Sequence, residues 1–147
     1  LIRKGWVVQI KDTNCIFCKI AAGEIPSKTI YEDGTFRVIL DISPATRGHA
    51  LIIPKAHYAN IYELPEDMAA AAMVLAKKLA LHMSEILKCD GFNIIQNNGE
   101  TAGQTVFHFH MHLIPRYGDD GNQDNICWNH LELSEEELEG ICQKLRQ

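Results

Sequence analysis

The sequence lacks the long apolar stretches and the excess of positive charge that mark several classes of protein. Its Ala-rich apolar run at residues 69–76 is far shorter than the ~20 residues needed to cross a bilayer, so we expect no membrane span. With 14 Lys and Arg against 19 Asp and Glu, the net charge of −5 argues against a nucleic-acid binder held by phosphate contacts. Internal repeats, low-complexity tracts and Pro/Gly/Ser-rich linkers are also missing, which favours a single domain over residues 1–147.

The number of cysteines is odd. The sequence has 5 of them and no Asn-x-Ser/Thr sequon, so a secreted disulfide framework has little support and we expect a reduced, cytoplasmic protein. Two cysteines form the motif Cys15-Ile16-Phe17-Cys18, whose spacing suits either a redox pair or half of a tetrahedral zinc site. His57 and one of the later histidines are available as further ligands, and spacing alone does not choose among them. A redox motif normally belongs to a βαβ unit, which the pattern here does not predict.

The hydrophobic patterns predict an α+β fold with about five strands and two or three helices. We expect a short helix at residues 15–22, with Asn14 as its N-cap and Gly23 at its end. A hairpin of strands at 28–31 and 36–41, a strand at 51–53, a long helix at 66–88 followed by Gly91, and strands at 92–96 and 105–115 come next. The tail predicts a last helix with Ser134 and Glu137 as a capping box.

Three histidines alternate with apolar residues in the last predicted strand. Because successive side chains of a strand point to opposite faces, His108, His110 and His112 share one face. The opposite, apolar face consists of Phe107, Phe109, Met111 and Leu113. An ordinary polar face would be served equally well by Thr, Lys or Glu, so the histidines indicate chemistry. Clustered imidazoles serve either as metal ligands or in nucleophilic catalysis at phosphorus.

The loop at residues 97–104 is longer than a tight hairpin requires. Long loops inside compact domains often bind ligands. The chain has no Gly-x-x-x-x-Gly-Lys-Ser/Thr phosphate loop to compete with it. His82 and His130 match no motif, and we expect them to be packing or surface residues.

Together these motifs resemble the histidine triad (HIT) family. The segment from His108 to Ile114 matches the alternating pattern that names the family, and further matches follow in one colinear order. They are residues 15–20, 23–26, 41–44, 48–57 and 97–104. The resemblance covers a core of about residues 14–117 and leaves residues 1–13 and 118–147 outside. The sequence is similar to the Hint branch of small nucleotide hydrolases in its zinc-containing bacterial form.

The resemblance implies a fold, a partner and an activity. The fold is a five-stranded antiparallel sheet with one long helix, to which we add the predicted C-terminal helix, and two subunits join their sheets into a homodimer. The activity is hydrolysis or transfer at the α-phosphate of a nucleoside phosphoramidate, a nucleotidyl adduct or a dinucleotide, with a purine nucleotide as the ligand. His110 resembles the nucleophile that becomes transiently nucleotidylated, and His112 resembles the contact to phosphate and leaving group.

The resemblance also implies roles for residues outside the triad. His49 resembles a fourth histidine near the triad, and Asp41 resembles the carboxylate that binds the ribose hydroxyls. The base would lie between Ile16, Phe17 and Ile42, and the phosphate would lie against Asn97, Gly103, Gln104 and Thr105. Cys15, Cys18, His57 and His108 match the four ligands of a structural zinc ion.

Two other functions remain as alternatives to a hydrolase. One is a nucleotide-binding regulatory module with little turnover, and the other is a CxxC thiol redox protein. The intact triad favours the hydrolase. For its ligand we expect weak discrimination among purine bases, because an apolar clamp around the base offers few hydrogen bonds.

Overall fold

A computed structural model describes residues 11–119 and 129–147. Within these residues the helices are α1 (Ile16–Ala21), α2 (Glu66–Leu87) and α3 (Glu135–Leu145), with a short 3-10 helix at Glu100–Ala102. The strands are β1 (Thr29–Glu32), β2 (Phe36–Leu40), β3 (Ala50–Pro54), β4 (Gly91–Ile95) and β5 (Met111–Arg116). They form one antiparallel sheet in the order β1-β2-β3-β5-β4. The predicted α+β fold with a five-stranded antiparallel sheet is confirmed.

The register of the sheet separates two faces. Val38 pairs with Ile52, which pairs in turn with Met111, and all of these pack beneath α2 in the main core. Leu51 pairs with Ile39 and with His112, so the last triad histidine lies on the other face. That second face is partly covered by α1.

Helix α2 spans one side of the sheet because its apolar residues recur every three or four positions. Ala72, Leu75, Ala76, Leu79 and Met83 are buried, and each faces the sheet at helical spacing. The helix ends at Lys88, which takes the left-handed conformation with φ 54°. The prediction that Gly91 follows the helix end is correct in sequence order, but Gly91 begins β4 and does not terminate the helix.

The beginning of α1 differs from the prediction. Cys15 is the N-cap residue, not Asn14, and its side chain makes no capping hydrogen bond. The backbone NH of Asn14 instead donates to the Asp12 carboxylate at 2.8 Å, which closes an Asx-type turn before the helix. The predicted end is confirmed, since Gly23 follows the helix with φ +79°.

The last strand is shorter than predicted. The sequence pattern predicts residues 105–115, but β5 begins at Met111. Its partner β3 ends at Pro54, and proline cannot donate to a continuing ladder. Upstream of Met111, the backbone NH of Phe109 donates to Tyr58 O at 2.6 Å in an irregular pairing. Phe107 is also exposed rather than part of the apolar face, whereas Phe109, Met111 and Leu113 are buried in the main core.

The C-terminal helix has the predicted cap. Ser134 accepts a hydrogen bond from the backbone NH of Glu137, and the Glu137 carboxylate accepts from the backbone NH of Ser134. The helix buries none of its residues. Among the residues that the structure describes, no helix has the length and apolar character needed to cross a bilayer.

Gly48 gives a test of the turn that leads into β3. Its φ is +91°, and a Cβ there would approach Leu87 Cδ1 to 2.5 Å and Pro115 Cγ to 3.3 Å. We expect Gly48→Ala to lower the free energy of unfolding by about 1–2 kcal/mol or more, because a non-glycine residue pays the left-handed penalty in addition to the crowding. Urea unfolding measures the change.

Gly34→Ala is the matched control, since no atom lies within 4 Å of the added Cβ and its φ is not left-handed. We expect it to be neutral or slightly stabilising, because alanine reduces the entropy of the unfolded chain. Equal stability of the two variants would show that Gly48 is not needed for its turn.

Candidate functional site

A cavity of about 300 Å³ opens on the α1 side of the sheet, beside the triad. Seven of the site residues predicted from the sequence line it. They are Ile16, Phe17, Asp41, Ile42, Thr105, His110 and His112. The structure therefore brings together residues from α1, the end of β2, the long loop and β5.

The other predicted phosphate-loop residues do not line this cavity. Gln104 is buried, and its amide nitrogen donates to Ala59 O at 2.7 Å and to Val106 O at 3.0 Å. Its side-chain oxygen accepts from the backbone NH of Gly99 at 2.9 Å. Gln104 thus holds the loop in shape, and Gly103 follows the short 3-10 helix with φ +86°. The side chain of Asn97 lies beside this glycine, since a Cβ built on Gly103 would be 3.6 Å from Asn97 Nδ2.

His110 presents one ring nitrogen to the cavity. Its Nδ1 lies 2.7 Å from the backbone oxygen of His108, and a carbonyl can only accept, so Nδ1 carries the proton. In the neutral ring Nε2 then carries a lone pair. The ring is held edge-on by Phe17 at a centroid distance of 5.0 Å. This arrangement gives a fixed, unprotonated nitrogen, which is what a nucleophile requires.

His49 and His112 form a hydrogen-bonded pair whose direction is set by the backbone. The backbone NH of Ala45 donates to His49 Nδ1 at 3.0 Å, so neutral His49 carries its proton on Nε2. That Nε2 lies 2.9 Å from His112 Nδ1 and donates to it. Neutral His112 consequently carries its own proton on Nε2, where it can serve as a donor.

Burial keeps these imidazoles neutral. Burial, reinforced by the nearby imidazoles of His110 and His49, lowers the pKa of His112 to about 4, although the Asp41 carboxylate opposes the shift. Burial also lowers the pKa of His49 and of His110. The Asp41 Oδ2 atom lies 3.7 Å from His49 Nε2, so it borders the pair. At neutral pH the site offers a neutral imidazole with a lone pair, His110, beside a neutral hydrogen-bond donor, His112, with ring centroids 5.0 Å apart.

A second cluster lies on the other side of Phe17. Cys15, Cys18, His57 and His108 each direct one ligand atom to a common point, and these atoms all lie within 4.8 Å of one another. Cys15 Sγ and Cys18 Sγ lie 3.4 and 3.5 Å from His108 Nδ1. Cys18 Sγ is 3.3 Å from His57 Nδ1, and the two imidazole Nδ1 atoms are 3.2 Å apart.

These distances fit a tetrahedral zinc ion. Zn–N bonds of about 2.0–2.1 Å and Zn–S bonds of about 2.3 Å give tetrahedral edges of about 3.3 Å for N–N and 3.6 Å for N–S pairs. His108 Nε2 lies 2.9 Å from Pro54 O and donates to it, which leaves the Nδ1 lone pair directed at the cluster. Such a second hydrogen bond is the usual way in which a protein orients a histidine ligand. The four predicted residues therefore lie together, and their donor atoms are of the kinds found in structural zinc sites.

Part of the site is not identified by sequence reasoning. The lining of the cavity also includes Ile25, Pro26 and Leu51, which have no role predicted from the sequence. Alternation in β3 places Leu51 on the face of His112, so the register was the signal that could have found it. The backbone NH of Ala45, which orients His49, could not be predicted from any side-chain pattern in the sequence.

Known proteins resemble this chain over most of its length. A family model described as the HIT domain matches residues 22–119. The protein named hit of Bacillus subtilis is 50% identical over 105 residues, 71% of this chain and 72% of that protein. An adenosine 5'-monophosphoramidase of Saccharomyces cerevisiae is 47% identical over 71% of this chain and 64% of its own length. An adenylylsulfatase of Arabidopsis thaliana is 45% identical over 70% and 52%, respectively.

Solved structures give the same result. A crystal structure of a Streptococcus mutans protein has a TM-score of 0.86 at 42% identity and covers 96% of this chain and 88% of its own. A Zn-bound histidine triad family protein from Mycobacterium smegmatis has a TM-score of 0.72 at 40% identity, covering 79% and 84%. With a family model that spans most of the sequence and relatives that reach 50% identity, the chain belongs to the HIT family.

Proposed function

We propose that this protein is a nucleotide hydrolase or transferase that acts at the α-phosphate of nucleoside phosphoramidates, nucleotidyl adducts or dinucleotides. The observation that carries the proposal is the His110 ring, whose Nδ1 proton is committed to a backbone oxygen and whose Nε2 lone pair is free beside the cavity. The names of the yeast and Arabidopsis relatives support a substrate of this class.

The reaction divides into two displacements at phosphorus. His110 Nε2 attacks the α-phosphorus and the bond to the leaving group breaks, while neutral His112 donates an Nε2–H hydrogen bond to the departing atom, which takes its proton from water. A covalent nucleotidyl-His110 remains. The hydroxide so formed attacks the same phosphorus, the P–N bond to His110 breaks, and the nucleoside monophosphate leaves with both histidines in their starting states. His49 supports His112 in both steps because its Nε2–H fixes the tautomer of His112.

Nucleotide recognition follows from the lining of the cavity. We place the ribose hydroxyls at Asp41, which accepts hydrogen bonds only, and the base between Ile16, Phe17 and Ile42. Ile42 is 97% exposed, so its apolar side chain is accessible to pack against a bound base. For the phosphate we propose Thr105 and the loop that carries Asn97, Gly103 and Gln104, with Gln104 acting through the shape of the loop.

Zinc is the metal that we propose for the second cluster. Cys15, Cys18, His57 and His108 would hold it as four protein ligands, so it would act as a closed structural centre with no open position for water or phosphate. Thiolate ligands require reduced cysteines. A reducing compartment provides them, and we therefore keep the prediction of a cytoplasmic location. The thiols of Cys15 and Cys18 contact two imidazoles, and the CxxC motif does not belong to a βαβ unit. Both observations favour a metal site over the thiol redox alternative.

A homodimer that joins two sheets is our proposal for the assembly. Strand β4 is an edge of the sheet, and its free backbone groups can pair with a second β4. Met73, Leu81 and Ile94 are exposed apolar residues on α2 and β4. A dimer that pairs the two β4 edges would cover apolar surface of this kind.

His110 is the first test of the reaction. We expect His110→Ala to lower kcat for an adenosine phosphoramidate by several orders of magnitude while adenosine monophosphate still binds, because the nucleophile is lost and the pocket remains. Rapid quenching of the wild-type reaction should trap the nucleotide on His110, as read by peptide mass spectrometry. His130→Ala is the control, since His130 is exposed and matches no motif.

Near wild-type kcat in His110→Ala, or a label on another residue, would rule out the assignment. A wild-type protein that binds the nucleotide but releases no amine would instead support the binding-module alternative.

The titration of His112 tests the orientation of the histidine pair. Because its pKa lies near 4 rather than 6.5, His112 stays neutral as the pH falls through 6.5. The unfolded chain binds a proton there first, so the free energy of unfolding declines as the pH falls from about 6.5 toward 4. Long-range ¹H–¹⁵N spectra should show the Nε2–H tautomer of His112 and its low pKa, and the urea-unfolded protein should titrate near the ordinary value.

Asp41→Asn supplies a signed check on the same resonance. The Asp41 carboxylate raises the pKa of His112, so its removal should lower that pKa further. A midpoint near 6.5 in the folded wild type, or the Nδ1–H tautomer, would contradict the proposed donor role of His112.

Removal of one metal ligand tests the zinc proposal. We expect elemental analysis of protein purified without added metal to find one zinc per chain, and Cys18→Ser to lose it with a lower Tm. Structural zinc contributes about 10–16 kcal/mol of apparent binding free energy in small peptides. Cys142→Ser, at an exposed cysteine of α3, should retain both the metal and the Tm.

Whatever Cys18→Ser protein stays folded should keep residual activity, since His110 and His112 remain. Protein without zinc that readily forms a Cys15–Cys18 disulfide would overturn the metal assignment and favour the thiol redox alternative.

A further inference from the structure

Two cavities lie on the α2 side of the sheet, away from the triad histidines. Their volumes are about 480 and 380 Å³, and they share the lining residues Leu79 and His82. We call these two adjoining cavities, between α2 and the β1–β2 hairpin, the α2 groove. Its α2 wall includes Val74, Lys78, His82 and Ile86, and Ile30 and Leu40 lie opposite.

The α2 groove combines apolar surface with a basic rim. Ile30, Leu40, Val74 and Ile86 are exposed apolar residues, and Lys78 and Arg47 supply positive charge. Asp33 is the only carboxylate among the described lining residues, and it is committed to the hairpin. Its oxygens accept from the Tyr31 hydroxyl and from the backbone NH groups of Thr35 and Phe36. An occupant with an apolar stripe and acidic flanks would match this surface.

Helix α3 has that composition, and none of the described residues of the chain buries its side chains. Leu138, Ile141 and Leu145 form its apolar stripe and are 48%, 44% and 74% exposed. Glu135 and Glu139 lie one turn apart beside the stripe. The helix has 11 residues, and isolated helices below about 12–15 residues are marginal in water even with good caps. Its helical state therefore depends on a surface that covers the stripe.

We propose that the apolar stripe of α3 docks in the α2 groove of a second copy of this chain. The stripe has the i, i+3, i+7 spacing by which amphipathic helices fill apolar grooves. At 1.5 Å per residue α3 is about 16 Å long, and the α2 wall from Val74 to Ile86 is about 18 Å long. Glu135 and Glu139 then meet the basic rim of Lys78 and Arg47.

A second copy is the occupant because one chain leaves both surfaces open. In this structure α3 does not cover its own groove, and groove residues such as Ile86 stay exposed. Reciprocal exchange between two copies fills both grooves and relates the two chains by a twofold axis. The groove borders β1, at the opposite edge of the sheet from β4, so this contact is separate from the proposed pairing of β4 edges and from the catalytic proposal.

A disulfide trap tests the contact with minimal change. The natural Cys142 lies beside the stripe of α3, so one new cysteine on the groove wall suffices. Ile86→Cys provides it in a full-length background with Cys89→Ser and Cys127→Ser. Lys77→Cys is the matched control, because Lys77 is exposed on α2 like Ile86 but lines neither cavity of the groove.

We expect mild oxidation to give a covalent dimer through Cys142 and position 86 of different chains, identified by non-reducing gel and peptide mapping, and no such link in the control. A link within one chain would show that α3 folds onto its own groove and would overturn the proposal. So would a link to position 77, or no link to the groove.

Amide exchange gives a second readout that does not depend on oxidation. Protection of residues 135–145 should be present at high protein concentration, should fall on dilution, and should be lost in Ile86→Glu. Glu85→Gln, next to Ile86 but outside the groove, should keep it. Protection that is independent of concentration would contradict docking on a second copy. It would not bear on the proposed hydrolase function, which phosphoramidate turnover tests separately.

Discussion

The site depends on one repeated interaction, the hydrogen bond between a backbone group and one nitrogen of a buried imidazole. His108 donates to Pro54 O, His110 donates to the oxygen of His108, and His49 accepts from the NH of Ala45. A neutral imidazole has one donor and one acceptor nitrogen, so the use of one determines the state of the other. The backbone thereby fixes which ring presents a lone pair and which presents a proton.

One short segment, residues 108–112, serves two centres with different chemistry. Its first histidine joins the Cys/His cluster, and its other two face the cavity. Phe17 separates these centres, with ring centroids 6.0 Å from His108 and 5.0 Å from His110. Because Phe17 and Cys18 are neighbours on α1, the cluster that fixes this helix also fixes the aromatic ring against His110. The proposed metal would thus support the proposed reaction through packing.

Much of the fold could be predicted from local pattern, and the errors share one cause. The long helix, the hairpin and the capping box follow from periodicity and turn residues within a short window. The extent of the last strand does not, since residues 105–110 keep the alternating composition of a strand while Pro54 ends the partner ladder. Phe107 follows the same rule: it has the composition of a core residue, but no neighbouring strand places it in the core.

The sequence by itself determined the chemical groups of this protein and their order along the chain. Alternation put His110 and His112 on one face, and the resemblance to the HIT family supplied the four residues that converge as a cluster. The tertiary structure alone decided the protonated nitrogen of each imidazole and the structural use of Gln104. The physical reason is that these states are set by backbone groups distant in sequence, such as Pro54 O for His108 and Ala59 O for Gln104. Backbone groups are the same in every residue, so no side-chain pattern encodes them.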